Sequence, residues 1–480
     1  MRVLENLEPG RVFHYFEDLA AIPHGSTNTK AISDYCVKFA KDRGLEHYQD
    51  GANNIIIIKG ATPGYEQAEP VILQGHLDMV CETEPGCAKD MEKEGLDLAV
   101  DGDLVLAKGT TLGGDDGIAV AMALAILEAD DIPHPRLEAV FTTDEEIGML
   151  GAAVLDVSPL KGRTLLNLDS EVEGVFTVSC AGGVGVECSL PVTRNTVNGE
   201  TCLVTVGGLK GGHSGAEIDK GRGMSNQLMG RVLYTAVKRA GARLISVNGG
   251  LKDNAIPRET TAEVAVRDIR ALEETVSVMD AAFKNEYRTA DPGVFVKMEK
   301  KPAHSAGVMT AETTARAVCM LVGLPVGIQA MSMDIPGLVQ TSLNMGILRT
   351  EEGRITASQY VRSSVGTQKE MLRDRLSCLM EQLGGTVRYS GDYPGWEYRK
   401  DSRLRQLMTE VFTEQYGHAP KVEAIHAGVE CGLFSGKLPG LDCVSYGPDL
   451  TEIHTARERM SISSVQRTWK LTLEVLRRLK

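Results

Sequence analysis

Residues 71–80 read Val-Ile-Leu-Gln-Gly-His-Leu-Asp-Met-Val. The run Val71–Gln74 predicts a buried strand that stops at Gly75 and delivers His76 and Asp78 to its carboxyl end. These two residues are two apart, so in an extended chain they share a direction. Working outward, residues 54–59 form an Ile-rich strand, 118–129 an Ala-rich helix, and 137–142 and 165–168 two more strands. Strands alternating with helices predict an α/β layer with a partly parallel sheet. In open α/β sheets, ligands bind beyond the carboxyl ends of the strands, so chemistry is expected there.

Upstream, residues 1–48 read as helical, with a second amphipathic stretch over 29–43. The character changes after Gly183. Strands are expected near 202–207, 242–248, 259–268 and 293–298, with helices near 224–239 and 271–289. A looser version of the same order follows: a helix over 311–322, a hairpin joining 338–348 to 355–363 through a turn at 349–354, a helix over 367–383 and a strand over 385–390. The turn signals in Tyr393-Pro394-Gly395-Trp396 mark a return to α/β character. A helix over 402–416 follows, and a long amphipathic helix over 463–480 closes the chain. The simplest organisation is a discontinuous domain, 1–185 plus 393–480, with residues 186–392 inserted as two tandem α+β units.

The 480 residues exceed one ordinary core, so two or three domains are expected. A net charge of −14 and the absence of a basic tract argue against nucleic acid or an anionic membrane as partner. An acidic balance is compatible with a small-molecule or peptide substrate but does not argue for one. Ten cysteines without a Cys-x-x-Cys pair read as reduced thiols. The N-terminal stretch lacks an apolar core of signal type, and no run of 18 apolar residues occurs, so a cytoplasmic location is expected.

The strand ends carry the chemistry. His76 is a candidate metal ligand, with Asp78 behind it to orient the imidazole. Gly113-Gly114-Asp115-Asp116-Gly117 opens the Ala-rich helix, and its two carboxylates serve either as ligands or as helix caps. Thr143-Asp144-Glu145-Glu146 follows the next strand. Three adjacent acids repel one another, and a cation would offset that, with one Glu as ligand and its neighbour as base. Asp169 ends the strand after that, and His454 lies far downstream. Each signal alone is explained by capping or solvation. Their concentration at successive strand ends points to a metal site. His and carboxylate donors without Cys suit zinc, manganese or cobalt, with zinc the commonest in hydrolases.

The order of motifs resembles the M20 metallopeptidases, and within them the bacterial aminoacyl-histidine dipeptidase branch. The likeness rests on G-H-L-D (75–78), G-G-D-D-G (113–117), D-E-E-I-G (144–148), N-L-D-S-E (167–171), G-L-K-G-G-H-S-G (208–215), P-G-W (394–396) and H-A-G-V-E-C-G-L-F (426–434). The resemblance implies a mixed-sheet α/β catalytic domain with a dinuclear metal site and an inserted α+β lid, long enough to be doubled. It implies two divalent ions, zinc or else manganese or cobalt. Asp115 would bridge them, His76 and Asp169 would complete one site, and Glu146 and His454 the other. Asp78 would support His76, Asp116 would stand behind the ligands, and Glu145 would be the general base that takes a proton from water. His213 would donate to the oxyanion with help from Asn254, Arg362 would hold the substrate's free carboxylate, and Glu430 would meet its amine or border the metals. In many relatives the lid histidine reaches across a dimer, so both monomer and homodimer stay open. The expected activity is hydrolysis of Xaa-His and other short dipeptides. The alternatives are a tripeptidase, a deacetylase, an aminoacylase, or a catalytically inactive scaffold.

Overall fold

The structure is a computed structural model that describes residues 2–196, 200–302 and 307–480. The chain divides into two compact units, one of residues 1–179, 398–424 and 429–480, the other of residues 180–397 and 425–428.

The first unit is built on an eight-stranded mixed sheet. Its order is Glu46–Gln49, Ile55–Lys59, Leu137–Thr142, Val71–His76, Thr164–Asn167, Asp442–Ser445, Val175–Cys180, Lys421–Ile425. The four strands from Leu137–Thr142 to Asp442–Ser445 run parallel. Their carboxyl ends therefore share one edge, and every residue of Val71–His76 and Leu137–Thr142 is buried. A parallel strand covered on both faces reads as a near-continuous apolar run, which is why these segments were legible. The helix Gly114–Glu128 is apolar on all sides and buried throughout from Gly117 to Leu127, packing on Val71–His76 and on the helix Gly10–Ala20. Gly75 is required by this packing: a Cβ there would stand 2.5 Å from Asp116 Oδ2 and 2.7 Å from Ala119 Cβ.

The expectation of helix up to residue 48 fails at its end. Glu46–Gln49 is an edge strand paired antiparallel with Ile55–Ile58. Asp50 makes the hairpin, its carboxylate accepting from the backbone N–H of Ala52 and Asn54, so a local turn overrides helical spacing. A four-stranded sheet of Leu98–Asp101, Leu104–Ala107, Arg459–Ser461 and Leu450–Thr451 was not foreseen.

The second unit carries a nine-stranded antiparallel sheet. Residues 200–301 and 311–393 both contribute to it and to one apolar core. The two stretches join where Gly249 pairs with Leu348. The hairpin of the second stretch is tighter than expected. Pairing continues through Arg349↔Thr356 and Glu351↔Arg354, leaving only Glu352 and Gly353 to turn.

Glu173 ties the first unit's C-terminal helix, Ile462–Arg478, to the sheet. Its carboxylate accepts from Arg467 Nε (2.7 Å) and Nη2 (2.6 Å) and from the Tyr416 hydroxyl. Burial alone would raise this carboxyl, but Arg467 and Tyr416 hold it below the ordinary glutamate value. With the folded value depressed, the stability it adds is present above about pH 4.3 and is lost as pH falls through the folded value. Glu173→Gln is expected to flatten the acid side of a plot of unfolding midpoint against pH. A variant curve parallel to wild type would refute this.

Candidate metal centre and active site

Three parallel strand ends, the start of the helix Gly114–Glu128 and the loop after Leu450–Thr451 bring five side chains of the first unit together. His76 closes its strand with Nδ1 2.9 Å from the Asp78 carbonyl oxygen and 3.6 Å from Asp78 Oδ1. Its Nε2 then faces inward, 3.1 Å from Asp115 Oδ1 and 3.7 Å from Asp169 Oδ1. His454 Nε2 lies 3.2 Å from Asp115 Oδ2 and 3.0 Å from Glu146 Oε2. Asp115 thus presents one oxygen to each histidine. Asp78 does more than back His76. Its carboxylate accepts from the backbone N–H of Glu145 (3.0 Å) and Glu146 (3.3 Å) and from the Ser26 hydroxyl (2.8 Å), so it also sets the acid turn.

Neither aspartate of the G-G-D-D-G segment caps the helix. Asp116 turns back to the strand, where its Oδ2 accepts from the His76 N–H at 3.2 Å. Two residues around the site adopt left-handed backbone, Asp144 (φ 54°) and His454 (φ 59°). Such conformations are costly for residues with a Cβ and persist where surrounding structure holds them.

The electrostatics are those of crowded carboxylates. Burial, with Asp169, Glu430 and Glu146 nearby, pushes Glu145 up to about 9 against the opposing effect of His76. Burial likewise raises Glu430 to about 8 and Glu171 to about 7. Burial works against a charge on His76, yet Asp115, Asp169 and Asp78 outweigh it and raise the imidazole well above its ordinary value. His454 is raised to about 10 by Asp115 and Glu146.

Glu430 sits beneath this cluster. Its Oε2 accepts from Gln74 Nε2 (2.5 Å) and the Thr142 hydroxyl (2.6 Å), while Oε1 is buried without a partner among the described residues. Beside Glu146 opens a cavity of about 560 Å³, lined by Met79, Cys81, Met91 and Ile147 among others.

The second unit holds its own polar group. His213 pairs with Ala255 across a short two-stranded ribbon, so Asn254 follows beside it, its carbonyl accepting from Ser214 N–H at 2.9 Å. His213 Nδ1 accepts from the backbone N–H of Gly215 (3.2 Å) and Ala216 (2.9 Å). An accepting Nδ1 places the proton of the neutral ring on Nε2. Burial and then Arg362 lower this imidazole, which favours that neutral form. Arg362 is 5% exposed, stacks 4.6 Å from the Tyr360 ring centre, and donates to the Tyr393 hydroxyl at 3.3 Å. Its Nε is buried without a partner among the described residues. His426 is also buried there, with Nε2 2.7 Å from Ser342 Oγ.

The sequence matches the model of peptidase family M20/M25/M40 over residues 72–478. The chain belongs to the M20 peptidase family. It is 35% identical over 99% of its length, and 99% of the relative's, to the cytosol non-specific dipeptidase of Escherichia coli (strain K12). The structure superposes on the aminoacylhistidine dipeptidase of Vibrio alginolyticus with a TM-score of 0.94 and 35% identity, covering 99% of this chain and 97% of that one. The aminopeptidase PepT of Bacillus cereus, at 15% identity and a TM-score of 0.56 over 98% of this chain and 99% of that one, shares the fold. The expected family and mixed α/β fold are thus borne out, and the M20 peptidase is a peptide-bond hydrolase by family.

The residues of this M20 peptidase fit divalent metal. Two overlapping groups, His76–Asp116–Asp169 and His76–Asp115–Glu146, each place their ligand atoms within 4.8 Å of one another. Glu146 Oε1 is buried with no partner among the described residues, as befits a ligand atom. Sequence reasoning assigned no role to Gln74, His426 or Glu458, and left Glu171 as a motif letter. His426 stood inside a quoted motif, whereas Gln74 and Glu458 carried no local signal. No described helix is long and apolar enough to cross a membrane.

Proposed function

We propose that the chain is a cytoplasmic metal-dependent dipeptidase acting on Xaa-His and other short dipeptides. The observation that carries this reading is 35% identity over 99% of the chain to two proteins each named a dipeptidase. Asp115, His76, Asp169, Glu146 and His454 would hold the metal ions, with Asp115 placed between the two histidines. Two divalent ions, zinc or else manganese or cobalt, would supply carbonyl polarisation and acidified water when bound. Glu145 takes the proton from water and returns it to the leaving amine. His213, with its proton on Nε2, donates to the oxyanion, and Asn254 assists. Arg362 offers a planar guanidinium for the free carboxylate of a dipeptide. Glu430, buried beneath the ligand cluster, borders the metals rather than the substrate's amine. The cavity beside Glu146 takes a substrate side chain, and the second unit is the lid that carries His213 and Arg362.

The test is a panel of β-Ala-His, Gly-His and other dipeptides against tripeptides and N-acetyl amino acids, each with zinc, manganese and cobalt. Dipeptides are expected to be cleaved fastest. Cleavage confined to tripeptides or N-acetyl substrates would replace this reading with another amidohydrolase, and no cleavage at all with an inactive scaffold.

A further inference from the structure

Glu458 lies four residues after His454 and is 1% exposed. Its Oε2 accepts from the backbone N–H of Leu112 (2.8 Å) and Gly113 (3.0 Å), and its Oε1 from Gly114 (2.8 Å) and Asp115 (3.3 Å). Four consecutive N–H groups thus converge on one carboxylate more than 340 residues away in sequence. They run from the residue before the N-cap Gly113 into the start of the helix Gly114–Glu128, and Gly113 at φ 65° curls them into a concave nest. No neutral residue of that shape offers acceptors on both oxygens at once.

The other end of Glu458 is equally constrained. Its backbone N–H donates to the Thr455 carbonyl at 3.1 Å, and the Thr455 hydroxyl donates to the Glu452 carbonyl at 2.7 Å. This compact turn contains His454, and Met460 then pairs with Val105 in the small sheet. One side chain therefore joins the loop that presents Asp115 to the loop that presents His454, whose facing atoms are 3.2 Å apart.

We propose that Glu458 is a positioning residue that sets the Asp115–His454 spacing and thereby metal affinity. The assignment rests on the metal-ligand reading of Asp115 and His454. Partners behind metal ligands are worth roughly 10–100-fold in affinity or activity. Glu458→Gln puts amide hydrogens against backbone N–H groups that now meet an acceptor, and Glu458→Asp keeps the charge one methylene short. The control is Glu138→Gln. Glu138 is also a fully buried carboxylate holding a loop, accepting from Lys161 and Gly162 N–H and from Arg136, but at the opposite end of its strand from the site.

The experiment titrates zinc or manganese into chelator-stripped protein by calorimetry, with circular dichroism to confirm the fold and kcat and KM measured on the metal-restored protein. Glu458→Gln is expected to bind metal about 10–100-fold more weakly, with kcat reduced and KM little changed, and Glu458→Asp to recover part of both. Glu138→Gln is expected to lose stability at unchanged metal affinity. A folded Glu458→Gln with wild-type metal affinity overturns the proposal. So does an equal loss in Glu138→Gln, or loss of the fold in both Glu458 variants, since Glu458 would then be structural. Should the wild-type protein bind metal yet cleave no dipeptide, the proposed function fails while the metal titration still decides the role of Glu458.

Discussion

Glu145→Gln is expected to lower kcat by about 10²–10⁴-fold, the range for loss of a positioned general base, while the protein keeps its metal. Glutamine is nearly isosteric and leaves the Glu145 N–H bond to Asp78 Oδ1 (3.0 Å) in place, so the acid turn should hold. The neighbouring substitution separates the two roles. Glu146→Gln removes an oxygen that lies 3.0 Å from His454 Nε2, and should weaken metal binding first and turnover as a consequence. The measurements are turnover of a dipeptide and metal content by atomic emission on the same preparations. Unchanged turnover in Glu145→Gln would sink its assignment as base. Metal loss in Glu145→Gln with retention in Glu146→Gln would mean that the two roles are exchanged.

Removing metal is expected to abolish turnover and to lower the thermal midpoint of the first unit. Around His76 and His454 stand Asp116, Glu145, Asp169, Glu171 and Glu430, carboxyls that burial and neighbouring carboxylates make costly to ionise. Divalent ions offset that repulsion in the folded state alone. A ligand present at a thousand times its dissociation constant adds about 4 kcal/mol of stability per site. For a unit of this size the midpoint should therefore fall on the order of 10 °C. Calorimetric scans before and after chelation check this, with zinc, manganese and cobalt added back in turn. Full activity in chelator with an unshifted midpoint would exclude a metal mechanism.

Much of this architecture was readable along the chain. Val71–Leu73, Ala139–Phe141 and Leu165–Leu166 are apolar because both faces of a parallel sheet are covered, and the residues C-terminal to them are polar because the sheet edge is where the cover ends. His76, the acids after Thr142, and Asp169 could therefore be grouped before any distance was known. The helix 403–416 and the closing helix were equally plain from their amphipathic spacing. Glu46–Gln49 was misread because a four-residue edge strand is too short for periodicity to outweigh an adjoining helical pattern.

The pattern of residues by itself determined that acids and a histidine meet at one sheet edge, since side-chain direction in a strand is a local property with a period of two. Tertiary structure alone decided how they meet. It turns Asp115 toward both histidines and Asp116 back to the His76 amide, although the two are adjacent and chemically alike. It fixes the His213 proton on Nε2 through two loop amides. It brings Glu458 to the Leu112–Asp115 amides across more than 340 residues. Those outcomes depend on chain closure over long separations, where distances are set by the packing of whole elements and leave no local trace in residue order.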